Sequence, residues 1–275
     1  MTSSRVALVT GASSGIGADT ALLLAKAGFT VYAAARRADR MQALASTGIG
    51  VLSMDVTDEA AVTAAVEKIT AEAGPVEVLV NNAGYGSYGP VEDVPIAEAR
   101  RQFDVNVFGL ARLIQLVVPA MRERGSGRLI NVSSIGGKIY EPLGGWYHAT
   151  KFAVEGLSDS LRVELRPFGI RVVLIEPGPI RTEWSAIARQ NMLRTSAGTA
   201  YEGQARSVGR MLETADRPLT SSGPKVVARK IVKAATVAHP RARYPVGRGA
   251  GSIVRARRLL PDSALDAIIA RAFGS

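Results

Sequence analysis

Three groups of residues have types and spacings suited to chemistry. Tyr147 and Lys151 stand four apart, which puts both on one face of a helix. A phenol with an ordinary pKa of about 10 is a poor acid–base catalyst at neutral pH. An ammonium held beside it favours the phenolate and lowers that value. The second group is Thr10-Gly11-Ala12-Ser13-Ser14-Gly15-Ile16-Gly17, where an apolar run passes into a helical pattern. Its spacing is G-x-x-x-G-x-G, not the commoner G-x-G-x-x-G. Glycine at 11, 15 and 17 permits a tight turn and close backbone approach to a pyrophosphate, and a helix starting at Ile16 offers free N–H donors. The third is Arg36-Arg37, directly after Ala33-Ala34-Ala35. A carboxylate there would select a ribose 2′-hydroxyl, whereas arginine suits a 2′-phosphate, so NADP is favoured over NAD. Asp39 either fixes one of these arginines or stands idle.

The elements that must position these groups alternate along the first two-thirds of the chain. Short apolar runs rich in β-branched residues lie at 6–10, 29–35, 50–54, 76–80, 127–132 and 170–175. Most lack a period of two, as expected of strands buried on both faces of a parallel sheet. Helical patterns lie between them, at about 16–27, 39–46, 58–73, 97–124 and 147–166. The order predicts an α/β fold, a doubly wound, Rossmann-like sheet with helices on both faces. Thr57 is the expected N-cap of the 58–73 helix, and Gly74-Pro75 ends it. Residues 184–224 read as irregular or short-helical, 225–238 as a helix, and 243–246 as a seventh strand. No repeat or linker divides the chain, so one domain is expected over 1–275.

The chain has 275 residues, 47% hydrophobic, with 28 Gly, 13 Pro and no Cys. That composition is globular and leaves no disulfide, thiolate metal site or Cys nucleophile. The longest stretches without a charged residue, Met41–Met54 and Val78–Val91, are 14 residues each, shorter than the roughly 20 needed to span a bilayer. With no apparent leader, the chain is expected to be cytoplasmic. The net charge of +10 invites a nucleic-acid reading, but its distribution argues otherwise. Residues 1–184 carry a net of −1 and residues 185–258 a net of +12. No zinc-finger, helix-turn-helix or RNA-binding signature accompanies the charge, and no specific nucleic-acid partner is expected. His148 and His239 lack the spacing of metal ligands; both are read as structural or surface residues, and no metal is expected.

Taken together, the chain resembles a short-chain dehydrogenase/reductase of the non-extended, single-domain branch. The resemblance rests on ordered motifs: the glycine loop, Asp55-Val56, Asn81-Asn82-Ala83-Gly84 and Asn106. They continue with Asn131-Val132-Ser133-Ser134, Tyr147 with Lys151, and Pro177-Gly178-Pro179-Ile180-Arg181-Thr182. It covers roughly 5–182, and 225–247 fits the family's last helix and strand. It implies a catalytic tetrad. Ser134, not Ser133, would bind the substrate oxygen and Tyr147 would transfer the proton. Lys151 would lower the Tyr147 pKa and hold the nicotinamide ribose, and Asn106 would position a relay water. For the cofactor it implies Asp55 and Val56 at the adenine and Asn82, Ala83 and Gly84 along its ribose. Pro177 and Gly178 would lead to Ile180 and Thr182 at the carboxamide.

The resemblance also implies a lid over 184–224 and a homodimer or homotetramer built on helices 97–124 and 147–166. Apolar residues in the lid segment, among them Trp184, Ile187, Met192 and Leu212, suggest a lipophilic ketone or alcohol: steroid-, retinoid-, fatty- or aromatic-like. Its arginines keep an anionic, carrier-linked 3-oxoacyl substrate open. Trp184 is a pocket or lid candidate; Tyr85, Tyr140 and Trp146 either line the pocket or pack. A non-catalytic NADP sensor on the same fold is the alternative from another class. The spacing disfavours enoyl reductases and extended epimerases. The arginines of 241–258 have no assigned role.

Overall fold

The computed structural model describes residues 5–273. In chain order its elements are β1 (Val6–Thr10), α1 (Gly15–Lys26), β2 (Thr30–Ala35), α2 (Gln42–Ala45), β3 (Gly50–Ser53) and α3 (Glu59–Ala73). Next come β4 (Val78–Asn81), α4 (Ile96–Phe103), α5 (Gly109–Arg124), β5 (Gly127–Val132), α6 (Gly145–Glu164) and β6 (Ile170–Pro177). The chain continues with α7 (Glu183–Thr195), α8 (Glu202–Ala215), α9 (Pro224–Thr236), β7 (Arg243–Val246), α10 (Ala250–Leu259) and α11 (Asp262–Phe273).

The strands form one seven-stranded sheet in the order β3-β2-β1-β4-β5-β6-β7, with parallel pairing throughout. Strand order reverses beside β1, and a crevice opens there at the carboxyl ends of β1 and β4, where ligands bind in folds of this type. The apolar runs do not alternate because both sheet faces are covered. In β1, Val6 and Leu8 pack into the core cluster formed with α3, α5 and α6. Ala7 and Val9 pack into the opposite cluster, with α1 and α9. Small residues of α1 and α9, including Ala21, Ala234 and Ala235, are buried in that layer.

Several local details differ from the expectation. Asp58, not Thr57, caps α3, accepting the Ala61 N–H at 3.0 Å. The Thr57 hydroxyl is turned back to Asp55 Oδ1 at 2.9 Å. Asp and Thr compete as caps at similar strength, and this Thr has a neighbouring carboxylate that satisfies it. Residues 184–224 are more regular than expected, with α7 and α8 both formed, and the tail adds α10 and α11. Between α4 and α5, Asp104–Phe108 winds as a π-helix. The continuous helical stretch Ile96–Arg124 is 29 residues long and, by length and composition, apolar enough to cross a membrane. Its charge-free windows are too short to show this. In the fold, its Leu113, Ile114, Val117 and Met121 are buried in the core.

Candidate active site

The glycine loop closes onto the strand beside it. A Cβ at Gly11 would stand 2.8 Å from Ala83 Cα, and one at Gly17 only 2.4 Å from the Gly11 carbonyl oxygen. Gly11 has φ +65° and Gly15 has φ +55°, the left-handed region that glycine enters without penalty. The Thr10 hydroxyl accepts the N–H groups of Asn82 and Ala83, both at 3.0 Å. The Asn82 amide donates to the carbonyls of Thr10 at 2.9 Å and Gly11 at 3.2 Å. Thr10 and Asn82 thus clamp the loop to the end of β4.

Ser14 begins α1 without a side-chain cap, and no acidic residue stands in the first turn. The first-turn N–H groups therefore face outward with the positive end of the helix dipole and fit an incoming pyrophosphate. Arg36 and Arg37 are exposed at the end of β2. Arg37 lies 3.6 Å from Glu183, which Arg40 also meets at 2.9 Å. These two guanidiniums hold the Glu183 carboxyl below the usual range. Asp39 takes part in no ion pair among the described residues.

The cavity that this loop opens into holds about 400 Å³, within the range for a small-molecule site. Every residue expected at the site lines it except Gly17 and Asn106. Gly17 lies beneath the loop. Asn106, 2% exposed, sits in the π-helical segment, where an extra residue per turn re-aims a side chain. Its carbonyl accepts the Tyr85 N–H at 3.0 Å, and its amide donates to Tyr85 O at 2.9 Å and Thr150 Oγ1 at 3.0 Å. It pins the strand end that carries Gly84; a Cβ on Gly84 would come within 3.1 Å of Asn106 Oδ1.

Tyr147 and Lys151 share one face of α6, each 7% exposed. Burial pushes the Tyr147 phenol up to about 12, the Ser134 hydroxyl pulls it down, and the Glu141 carboxylate adds to the rise. Burial pushes Lys151 down to about 8. The Lys151 ammonium donates to the Val132 carbonyl at 3.0 Å and lies 6.0 Å from the centre of the Tyr147 ring. Desolvation is the largest of these influences on Tyr147.

Ser134 follows β5 and accepts the Gly136 N–H at 3.0 Å, while the hydroxyl of Ser133 is buried without a hydrogen-bond partner among the described residues. His148, buried next to Tyr147, accepts the Glu141 N–H on Nε2 at 3.0 Å, and its Nδ1 lies 2.9 Å from Gly136 O. Those partners require the neutral ring with its proton on Nδ1. His148 is structural, as expected, and its role is definite: it staples the loop after Ser134 to the helix of Tyr147. Leu143 in that loop has φ +63°, a strained conformation for a branched side chain and one found at functional sites.

The rest of the wall is aromatic and apolar. The Trp184 ring lies 4.9 Å from that of Tyr147 and 5.7 Å from that of Tyr88. Tyr85, Tyr88, Glu141, Ile187 and Leu212 also line the cavity. Tyr140 does not; its hydroxyl donates to Asp266 on α11 at 2.7 Å. Trp146 is likewise outside the lining. Sequence reading missed Tyr88 and Glu141, which lie only a few residues from Tyr85 and Tyr140; loop geometry, not periodicity, chooses between such neighbours. Among the described residues no group of three His, Asp or Glu is placed to hold a metal.

Comparison with known proteins decides the family. The short chain dehydrogenase family model matches residues 5–193. The chain belongs to the short-chain dehydrogenase family. This short-chain dehydrogenase is 36% identical over 263 residues to the "Probable short-chain type dehydrogenase/reductase VdlC" of Helicobacter pylori, covering 96% of both chains. It is 37% identical over 276 residues to the "NADPH-dependent 3-dehydrocapnine reductase" of Ornithobacterium rhinotracheale, covering 96% of this chain and 95% of that one. Its structure matches a short-chain dehydrogenase from Streptomyces avermitilis with TM-score 0.80 and 34% identity, over 98% of this chain and 95% of that one. A closed serine dehydrogenase complexed with NADP+ gives TM-score 0.73 and 26% identity, over 87% and 93%. A relative from Burkholderia phymatum in complex with NAD gives 0.78 and 26%, over 93% and 92%. Both cofactors thus occur among its structural neighbours. The chain is a dehydrogenase or reductase by family.

Behind Lys151 the short-chain dehydrogenase buries an ion cluster that accounts for one of the unassigned arginines. Arg243 on β7 meets Glu155 at 3.1 Å, Asp159 at 2.6 Å and Glu176 at 3.3 Å, and Lys138 meets Glu155 at 2.7 Å. Glu176 is fully buried, and desolvation with the nearby Glu155 pushes its carboxyl up to about 7 from 4.5. The folded state therefore binds this proton more tightly than the unfolded chain does. Its contribution is fully favourable below about pH 4.5 and is lost as pH rises through 7. Glu176→Gln should remove that loss. Urea unfolding of both proteins across this window should show the wild type losing up to about 3 kcal/mol relative to the variant; a constant difference would refute the assignment.

Proposed function

We propose that this chain is an NADP-dependent oxidoreductase that interconverts a carbonyl and an alcohol on a lipophilic substrate, with Tyr147 as the general acid and base. The observation that carries this reading is one cavity wall on which the Ser134 and Tyr147 hydroxyls meet beside Lys151, next to the uncapped glycine loop. The bound nicotinamide supplies or accepts the hydride at the carbonyl carbon. Ser134 hydrogen-bonds the substrate oxygen and Tyr147 delivers its proton there. Lys151 and Asn82 through Gly84 hold the cofactor along the sheet edge, while Ile180 and Thr182 orient its carboxamide end. The chain's contribution to hydride transfer is position and orientation.

Arg36 and Arg37 support NADP over NAD through the 2′-phosphate. Helices α7 and α8 act as the lid, and their inward residues Trp184, Ile187 and Leu212 favour an apolar substrate. The arginines of that segment, including Arg189, Arg194 and Arg206, lie outside the cavity lining, which weighs against an anionic carrier-linked substrate. Single-domain folding over 1–275 and assembly through helices 97–124 and 147–166 belong to the same reading; Phe108, in the π-helical segment, and Phe152, on α6, are exposed.

A kinetic screen of alkyl and aryl ketones and alcohols with NADPH and NADH in parallel tests the proposal. Turnover of apolar ketones with a marked NADPH preference is expected. Tight NADPH binding without turnover of any carbonyl or alcohol would refute it.

A further inference from the structure

Four carboxylates line the cavity: Asp55, Glu141, Glu183 and Asp216. Three are engaged. Asp55 accepts the Thr57 N–H and hydroxyl at 3.0 and 2.9 Å. Glu183 is bridged by Arg37 and Arg40, and Asp216 accepts the Ser185 hydroxyl at 2.9 Å near Arg181 and Arg189. Glu141 differs. Among the described residues its carboxylate, like those of Asp55 and Asp216, has no Lys or Arg within ion-pair distance; its one hydrogen bond, from the Tyr88 hydroxyl, is long at 3.4 Å, and His148 lies near it. Yet it is placed rigidly. His148 holds its backbone N–H, and Tyr88 is buried with its ring 5.7 Å from that of Tyr147.

Glu141 is partly buried at the cavity wall, and the desolvation of its carboxylate is offset only in part by nearby His148 and the Tyr88 hydroxyl. Burial accordingly raises the Glu141 pKa. Its charge also reaches the reacting group, since it makes the Tyr147 phenol harder to ionise. Both penalties disappear when a cation enters the cavity next to the reacting carbonyl.

We infer that Glu141 is a receptor for a substrate ammonium group, and that the preferred substrates are amino ketones and amino alcohols bearing an apolar chain. The inference rests on the carbonyl-reductase reading and narrows its substrate class. The carbonyl lies at Ser134 and Tyr147, the ammonium on the neighbouring carbon meets Glu141, and the chain runs along Trp184, Ile187 and Leu212. The amine takes no part in the bond changes. The carbonyl carbon gains a hydride from the nicotinamide, its oxygen gains the proton of Tyr147, and the ammonium keeps its contact. With the Glu141 charge neutralised, Tyr147 becomes the stronger acid, so the amine assists both binding and proton transfer.

The test compares aminomethyl nonyl ketone with its neutral isostere, ethyl nonyl ketone, and with hydroxymethyl nonyl ketone, all with NADPH. A charge-assisted contact is expected to give the amine an advantage of about 10–100-fold in kcat/KM over the isostere. In Glu141→Gln that advantage should shrink to within about threefold. Dissociation constants of the same ketones for the NADPH-loaded protein, read by tryptophan fluorescence, provide a second measurement independent of turnover. Wild-type enzyme treating the amine and the isostere alike in both measurements would overturn the inference, as would an undiminished preference in Glu141→Gln. Discrimination in binding without turnover of any ketone would support the subsite while refuting the reductase reading. Turnover without discrimination would do the reverse.

Discussion

Tyr147→Phe is expected to lower kcat/KM for every carbonyl substrate by about 10²–10⁴-fold, the usual contribution of a positioned acid or base. NADPH affinity should stay within about threefold of wild type. The substitution is clean for a structural reason. The ring of Tyr147 packs against Trp184 at 4.9 Å and Tyr88 at 5.7 Å between centroids, and Phe preserves both contacts. Only the hydroxyl is lost, together with the proton it would deliver. Ser134 does not replace it, because an aliphatic hydroxyl is a much weaker acid than a phenol. Stopped-flow single-turnover measurements place the loss in the chemical step. A variant that keeps more than about a tenth of wild-type kcat would sink the acid–base role, and unchanged thermal stability would exclude a packing explanation.

The parts of this enzyme that were legible from sequence are those whose chemistry is local. Val6–Thr10 reads as a two-face-buried strand because every residue in it is buried, and the glycines at 11 and 17 read as a cradle because a Cβ at either would collide with neighbouring backbone. Tyr147 and Lys151 are placed by helical spacing alone. What stayed hidden depends on contacts across the fold. Arg243 finds Glu155 and Asp159, 88 and 84 residues away, and a count of charges along a basic segment cannot reveal such a pairing. His148 becomes a staple only because the loop after β5 turns back over it. Asn106 was expected in a helix, but its aim comes from a π-helical turn that has no sequence signature. Over residues 184–224, Gly203 and Gly209 mask the apolar periodicity of α8, and α7 and α8 are supported by the packing of Ala188, Met192, Ala205 and Val208 with Tyr147.

The cofactor site yields the second large effect. The two arginines at the end of β2 are not equivalent. Arg37 shares Glu183 with Arg40, while Arg36 has no ion-pair partner among the described residues and lies near enough to Tyr85 to favour its phenolate. Arg36 is therefore the guanidinium free to meet a 2′-phosphate, and a charge-assisted pair of that kind is among the stronger hydrogen-bonded contacts. Arg36→Ala should weaken NADPH binding by about 10–100-fold and NADH binding by less than about twofold; Arg37→Ala should cost less. Glu183→Gln should act in the opposite sense. It removes an anion that competes with the phosphate for Arg37 and Arg40, so NADPH should bind a few-fold more tightly while NADH is unchanged. Because these groups are exposed, the differences should shrink as salt shortens the screening length to about 3 Å at 1 M. Titrations of both cofactors by fluorescence at low and high salt measure all of this. Equal losses of NADPH and NADH in Arg36→Ala would show that the arginine supports the loop and does not read the phosphate.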